Sequence, residues 1–149
     1  GNIVSGTLGR YVLQALDASF LAVDQLIDDD LEPPVEPERS GSPQSLVTWK
    51  QLGRQGRHFI ANAPTREELE RLGSGEAMSP IRVYVGLGAA ETAEERAALA
   101  LAEMKRVGAF ERSVVVIATP TGTGWLDEAA VDSLEHLHRG DTENIIRIY

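Results

Sequence analysis

The amino-acid sequence predicts an α/β fold, with helices flanking a sheet of parallel strands. Strand-like and helix-like segments alternate along the second half of the chain, which is typical of β-α-β units joined by right-handed crossovers. The run from Val114 to Ile117 contains no polar residue, so it predicts a central strand that helices cover on both faces. The predicted strands are residues 81–87, 114–117 and 144–149, and the predicted helices between them are residues 93–107 and 127–140.

Two threonines mark predicted helix starts. Thr65 with Glu68, and Thr92 with Glu95, have the spacing of a capping box, in which each side chain bonds the backbone N–H of the other residue. Glycines placed to end these two helices follow at Gly73 and Gly108.

A short strand is predicted upstream of the first of these helices, at residues 58–63, and Pro64 ends it. His58 lies in this strand, and no second histidine stands at metal-ligand spacing from it. We therefore interpret His58 as a packed or surface histidine and expect no metal site.

The first part of the chain reads as a helix followed by a linker. Apolar residues recur at steps of three and four, which places them on one face of a helix of roughly 20 residues. We favour packing of this face on the core, with a lead-in from an upstream membrane or partner segment as the alternative. The apolar residues are Leu8, Val12, Leu16, Phe20, Val23 and Ile27.

Residues 28–43 combine three consecutive aspartates with four prolines, so they predict an extended, solvated linker. The aspartates lack the spacing and the turning glycine of an EF-hand, and we interpret them as a solvated charge run and not a calcium site. The predicted organisation is an amphipathic lead-in helix at 1–27, an acidic proline-rich linker at 28–44 and part of an α/β domain at 45–149.

Composition excludes several classes of function. The chain has 149 residues, a net charge of −9 and no cysteine, which excludes disulfides, thiolate zinc sites and a cysteine nucleophile. Its basic residues form no stripe, so nucleic-acid binding through phosphate contacts is not expected. No apolar run approaches the roughly 20 residues that cross a bilayer, and we expect a soluble segment.

The segment after Val114 to Ile117 contains the candidate site. Proline and two glycines there leave backbone N–H groups at the carboxyl edge of the predicted sheet, where open α/β sheets bind ligands. A structural interpretation is a tight connection with the tryptophan packed as a hydrophobic lid. A functional interpretation is that the N–H groups point at a developing oxyanion. The candidate residues are Thr121, Gly122, Thr123, Gly124 and Trp125.

Neither glycine-rich turn fits a nucleotide site. Gly86 and Gly88 begin a G-x-G-x-x-G pattern, but Glu91 occupies the sixth position, where a carboxylate would repel pyrophosphate. Asp127 occupies the same position in the pattern that begins at Gly122. No P-loop lysine follows either turn, and we expect no nucleotide or other cofactor.

Acyl transfer needs a nucleophile, a base, an orienting acid and oxyanion donors, of which this chain predicts only the donors. The G-x-S-x-G motif is absent, and Ser74 follows a predicted helix instead of a strand. His136 and His138 lie two residues apart on a predicted helix, so they cannot bind one metal together, and His136 is expected to contact Asp132.

Three blocks of sequence resemble the start of the catalytic domain in a bacterial family of alpha/beta-hydrolase-like membrane proteins. They are SLVTWKQLGRQGRHFIANAPT, IRVYVGLGAAETAEERAALALAEM and ATPTGTGWLDEAAVDSLEHLHRGDT, and TPTGTGW is the most specific part. The resemblance covers residues 45–149 and implies a partial alpha/beta-hydrolase-like sheet with an oxyanion loop at residues 121–125. It also implies a serine nucleophile further along the chain and an upstream multi-pass membrane domain, neither of which is in this sequence.

Two functional hypotheses follow. The first is the amino-terminal part of a serine hydrolase of the esterase or lipase type, inactive alone and membrane-associated in the intact protein. Because the last predicted strand ends uncovered at Tyr149, we expect a carboxy-terminal part or a companion chain to complete it, with an ester or lipid as substrate. The alternative is a non-catalytic α/β binding or assembly module whose first helix and acidic linker dock a partner.

Overall fold

The computed structural model describes residues 11–12, 15–16, 18–19, 22, 30–120 and 125–147, with the backbone alone for residues 143–147. In these ranges helices and strands alternate, which confirms the predicted α/β class. The helices are α1 (Gly53–Ala61), α2 (Arg66–Leu72), α3 (Ala93–Arg106) and α4 (Glu128–Leu137), and the strands are β1 (Ile81–Val85), β2 (Val114–Ala118) and β3 (Thr142–Arg147).

The described strands form a parallel sheet in the order β1-β3-β2, which confirms the predicted parallel pairing. β3 is last in sequence and lies in the middle, where Ile145 pairs with Val83 on one side and with Ile117 on the other. The two crossovers therefore run in opposite directions across the sheet. Right-handed connections then place α3 and α4 on opposite faces.

The predicted capping boxes are present at the starts of α2 and α3. Thr65 Oγ1 accepts the N–H of Glu68 at 3.2 Å, and a carboxylate oxygen of Glu68 accepts the N–H of Thr65 at 2.8 Å. Thr92 and Glu95 exchange the same two hydrogen bonds at 3.1 Å. Each box satisfies N–H groups that have no partner inside the helix, so the sequence defines where these helices begin.

The core is built around β1, every residue of which is buried. α1 lies against this strand at Gly56, where an added Cβ would stand 2.5 Å from Tyr84 Cδ1. The ring of Phe59 lies 6.0 Å from that of Tyr84, measured between centroids. The missing side chain of Gly56 thus allows the helix to approach the strand closely.

Residues 58–61 belong to α1, so the strand predicted at 58–63 is wrong. The segment is helical because the buried side chains recur at helical spacing, with Gly53, Gly56 and Ile60 on the face turned to the core. Burial of that face against β1 decides the conformation of a short segment whose local pattern is ambiguous.

The solvated linker predicted to reach residue 43 is wrong for residues 39–42, which are buried. Arg39 forms a parallel bridge with Arg82 of β1, and the N–H of Ser40 donates to the carbonyl of Arg82 at 3.0 Å. The Ser40 hydroxyl accepts the N–H of Tyr84 at 3.2 Å. These contacts satisfy the backbone groups on the outer edge of β1, which need partners once they are buried. The domain boundaries at 28 and 44 stay a prediction.

The prediction that the strand at Val114 is central and covered on both faces is also wrong in the described structure. β2 is an edge strand, and its side chains alternate in exposure, with Val115 37% and Ile117 69% exposed. The exposed pair lies on the α3 face, because Val116 shares its register with Arg82, which points towards α4. α3 packs over β1 and β3 and leaves this face of β2 open.

The described residues of the amino-terminal stretch are helical, as predicted. Tyr11, Val12 and Leu16 are exposed, so the favoured packing of the apolar face on the core is not observed for these residues. The other residues predicted on that face lie outside the described ranges.

Candidate functional site

The candidate site follows β2 at the carboxyl edge of the sheet. β2 ends at Ala118, and after Thr119 the chain passes the buried Pro120. Thr121, Gly122, Thr123 and Gly124 lie outside the described residues, so the predicted oxyanion donors stay a prediction. Trp125 is 63% exposed.

The chain then enters α4 through a defined cap. The Asp127 carboxylate accepts the N–H of Ala129 at 3.1 Å and so caps the start of the helix. Glu128, the first residue of the helix, accepts the side-chain amide of Asn62 at 3.1 Å at both carboxylate oxygens. The start of α4 is thus tied to the residue that follows α1.

The end of β1 lies at the same edge and is closely packed. A Cβ added to Gly86 would stand 3.2 Å from Tyr84 Cε1 and 3.3 Å from the carbonyl oxygen of Leu52. Leu87 and Leu126 pack partly against the core. Apolar side chains therefore flank the predicted loop from both β1 and the start of α4.

A buried ion pair beneath this edge was not predicted from the sequence. Arg82 of β1 and Glu135 of α4 are both 0% exposed, and they make two parallel hydrogen bonds of 2.8 Å. Asp132 accepts a third hydrogen bond from Arg82 at 2.7 Å. The available signals were an arginine in the otherwise apolar run IRVYV and a glutamate four residues after Val131 on the inner face of a helix.

The described serines and histidines considered at the sequence level form no acyl-transfer centre. Ser74 follows a helix, as predicted, and its carbonyl accepts a hydrogen bond from Arg139. His136 Nδ1 lies 2.7 Å from the carbonyl oxygen of Asp132, which confirms the expected contact. Among the described residues, no group of three or more histidine, aspartate or glutamate side chains could hold a metal ion.

The clearest shifts in side-chain pKa lie away from the candidate site. Burial lowers the pKa of Arg39, and the nearby Arg82 charge acts in the same direction against the opposing effect of Glu36.

An open depression of about 510 Å³ also lies away from the candidate site, at the amino edge of the sheet. Its lining includes Ser79 and Arg112, which precede β1 and β2, together with the charged residues Glu38, Arg66 and Glu76.

In the part of the chain that the structure describes, we found no helix with the length and hydropathy of a bilayer-spanning segment.

Comparison with known proteins gives the family. Residues 81–149 match the profile of a family described as the alpha/beta-hydrolase family, and residues 1–64 match the profile of that family's N-terminus. The two matches leave out residues 65–80 of the chain. No curated protein and no solved structure matched it. Together with the parallel sheet and its flanking helices, the two matches show that the chain belongs to an alpha/beta-hydrolase family.

Proposed function

We propose that this chain is the amino-terminal part of a serine-hydrolase-type domain that cleaves acyl esters, in which residues 121–125 form the oxyanion loop. The observation that carries the proposal is the junction between β2 and α4. A parallel strand ends at the carboxyl edge of the sheet, and after a short segment with two glycines a helix capped by Asp127 begins at Glu128. Backbone N–H groups in such a segment can donate to a developing negative charge.

In the proposed reaction, a serine from outside this chain attacks the acyl carbon of the ester while a general base takes the serine proton. The carbonyl electron pair moves to oxygen, and N–H groups near Gly122 to Gly124 stabilise the resulting oxyanion. Collapse of this intermediate expels the alcohol, which takes a proton from a general acid, and water then releases the acyl group. The serine, base and acid are proposed to lie in a carboxy-terminal part or a companion chain.

The open edge of β2 supports completion by such a partner. β2 has no described neighbour on its outer side, and its apolar residues Val115 and Ile117 are exposed. A further parallel strand paired there would end beside the carboxyl end of β2. A nucleophile at the end of that strand would then stand next to residues 121–125.

The proposed substrate is an ester with an apolar acyl group, and a lipid is one candidate. The exposed Trp125 and the partly buried Leu87 and Leu126 offer apolar surface near the predicted loop. We further propose that an upstream membrane domain anchors the intact protein close to such substrates.

The test is reconstitution of the chain with the carboxy-terminal part of its protein, followed by an assay with a short acyl ester and labelling with a serine-directed phosphonate. Replacing Gly124 by proline removes one N–H, and we expect kcat to fall by about 10²–10³-fold. Gly124→Ala retains the N–H and serves as the matched control. A reconstituted protein that neither hydrolyses varied esters nor reacts with the phosphonate would contradict the proposal.

A non-catalytic binding or assembly module is the second candidate. Two observations favour it: the exposed edge of β2, and the exposed Tyr11, Val12 and Leu16 in the amino-terminal helical stretch. This function predicts a stable complex with the carboxy-terminal part that shows neither ester hydrolysis nor phosphonate labelling.

A further inference from the structure

The pair formed by Arg82 and Glu135 joins α4 to the middle of the core. Arg82 Nε and Nη2 each donate to a different carboxylate oxygen of Glu135 at 2.8 Å. Arg82 Nη1 donates to the carbonyl of Phe59 at 2.5 Å, and the guanidinium lies 4.6 Å from the centroid of the Phe59 ring. One side chain of β1 therefore contacts both α1 and α4.

Polar groups form a large part of the attachment of α4 to the rest of the fold. Its buried residues are Val131 and Glu135, so a carboxylate accounts for half of its buried positions. Glu128, Asp132 and Glu135 follow one another at steps of four and three residues. Glu128 accepts a hydrogen bond from Asn62, the residue after α1, and Asp132 and Glu135 accept hydrogen bonds from Arg82 of β1. These hydrogen bonds are directional, so they define the rotation and the axial position of the helix.

We propose that Arg82 is a positioning residue that fixes, through Glu135, the place where the chain enters α4 and hence the position of Trp125 and Leu126. Glu135 lies eight residues after Asp127, about 12 Å along the axis at 1.5 Å per residue. The helix between them carries the constraint to the carboxyl edge. The role of residues 121–125 as an oxyanion loop rests on the proposed function, whereas the placement of Trp125 through Arg82 does not.

The ion pair contributes a defined orientation of α4, which an apolar contact would not provide. Two buried charges lose their hydration, and well-packed apolar residues of the same volume are often equally stabilising. An apolar pair would allow α4 to slide or rotate, while the planar fork of Arg82 meets the carboxylate in one geometry.

The experiment is hydrogen exchange of backbone amides in the whole chain, measured by mass spectrometry. Glu135→Gln keeps the volume of the side chain and removes its charge, and we expect exchange in residues 119–134 to rise about tenfold with little change in β1 and α3. Glu70→Gln is the matched control, because Glu70 also pairs with an arginine on a helix but at an exposed position. It should leave residues 119–134 unchanged.

Arg82→Lys provides a second variant, since lysine keeps the charge but lacks the planar fork. Arg82→Lys should raise exchange in the same segment by a smaller factor. If Glu135→Gln does not fold, Arg82→Lys tests the positioning role in its place. The proposal is overturned if both folded variants leave residues 119–134 unchanged, or if exchange rises equally throughout the chain.

A catalytic readout separates this inference from the proposed function. In the reconstituted hydrolase, both variants should lower kcat and leave KM nearly unchanged, because the proposed donors act on the transition state. Faster local exchange in a protein without hydrolase activity would uphold the placement by Arg82 and contradict the proposed function alone. Normal kcat despite faster exchange would overturn the positioning role.

Discussion

β1 and β2 are parallel strands of five residues in the same sheet, but they meet opposite environments. β1 contains an arginine and is buried at every position, whereas β2 consists of aliphatic residues and exposes Val115 and Ile117. β1 has Arg39 and Ser40 on one side and β3 on the other, with helices on both faces. β2 pairs with β3 alone among the described strands.

The comparison shows that position in the sheet decides burial more than residue type does. Arg82 is buried because Glu135, Asp132 and the Phe59 carbonyl occupy its donors. Ile117 is exposed because nothing described in this chain lies over it. A strand with the composition of β2 is typical of a covered position, so the difference also supports the proposed partner for β2.

The largest difference in stability between the two strands is expected when an aspartate is introduced into each of them. Val83→Asp should destabilise the chain by at least about 4 kcal/mol, because the carboxylate enters a core without a partner. Ile117→Asp should cost less than about 1 kcal/mol, because its side chain reaches water. Urea unfolding of both variants measures the difference, and similar losses would contradict the assigned burial.

The next largest effect is expected at the buried ion pair. Arg82→Met should cost about 3–5 kcal/mol, because the buried Glu135 loses both of its hydrogen bonds from Arg82. Adding Glu135→Leu should recover a large part of this loss, because two apolar side chains then pack where the arginine and the buried carboxylate stood. Thermal and urea unfolding of the single and double variants test this, and a double variant less stable than Arg82→Met would contradict it.

A smaller effect is expected where α1 crosses β1. Gly56→Ala should cost about 1–3 kcal/mol, because the new methyl group overlaps the Tyr84 ring and outweighs the gain in helix propensity. Gly73→Ala is the control, since a Cβ added there would stand 3.4 Å or more from its nearest neighbours and the φ of Gly73 is negative. Equal stability of the two variants in urea would show that the helix does not approach the strand as described.

The smallest effect is expected at the exposed start of β2. Hydrogen bonds from the hydroxyl and the backbone N–H of Ser113 lower the pKa of Asp141 below its ordinary value. Ser113→Ala should raise this pKa, which can be followed by NMR titration of the carboxyl group.

The sign of the stability change follows from the lowered pKa. The bond to ionised Asp141 stabilises the fold above the pKa of the unfolded state, and this contribution is lost as pH falls through the lower folded-state pKa. The difference between Ser113→Ala and the unsubstituted chain should therefore be greatest near neutral pH and vanish in acid. A pH-independent difference would contradict the assignment.

Local signals in the sequence predicted much of the fold. Thr65, Thr92 and Asp127 carry caps whose bonding partners lie within three residues, so helix starts could be predicted without knowledge of the tertiary structure. The strands at residues 81 and 114 were identified by their apolar content. The parallel pairing followed from the helices between them.

Contacts between distant residues account for what the sequence did not predict. The helical state of residues 58–61 depends on β1, more than twenty residues away. The burial of Arg39 and Ser40 depends on backbone groups of β1, and the Arg82–Glu135 pair joins residues 53 positions apart. Residues 121–124 fall outside the described ranges, so the oxyanion role of the loop stays a prediction.

The contacts of Arg39 and Ser40 with β1 have a consequence for how copies of this chain can associate. They cover the outer side of β1, so in the part of the chain that the structure describes the open side of the sheet is that of β2. Head-to-tail stacking requires two open sides, and a sheet with one open side can form at most a closed pair. The described sheet can therefore pair with one partner strand at β2, while its β1 side is closed to further strands.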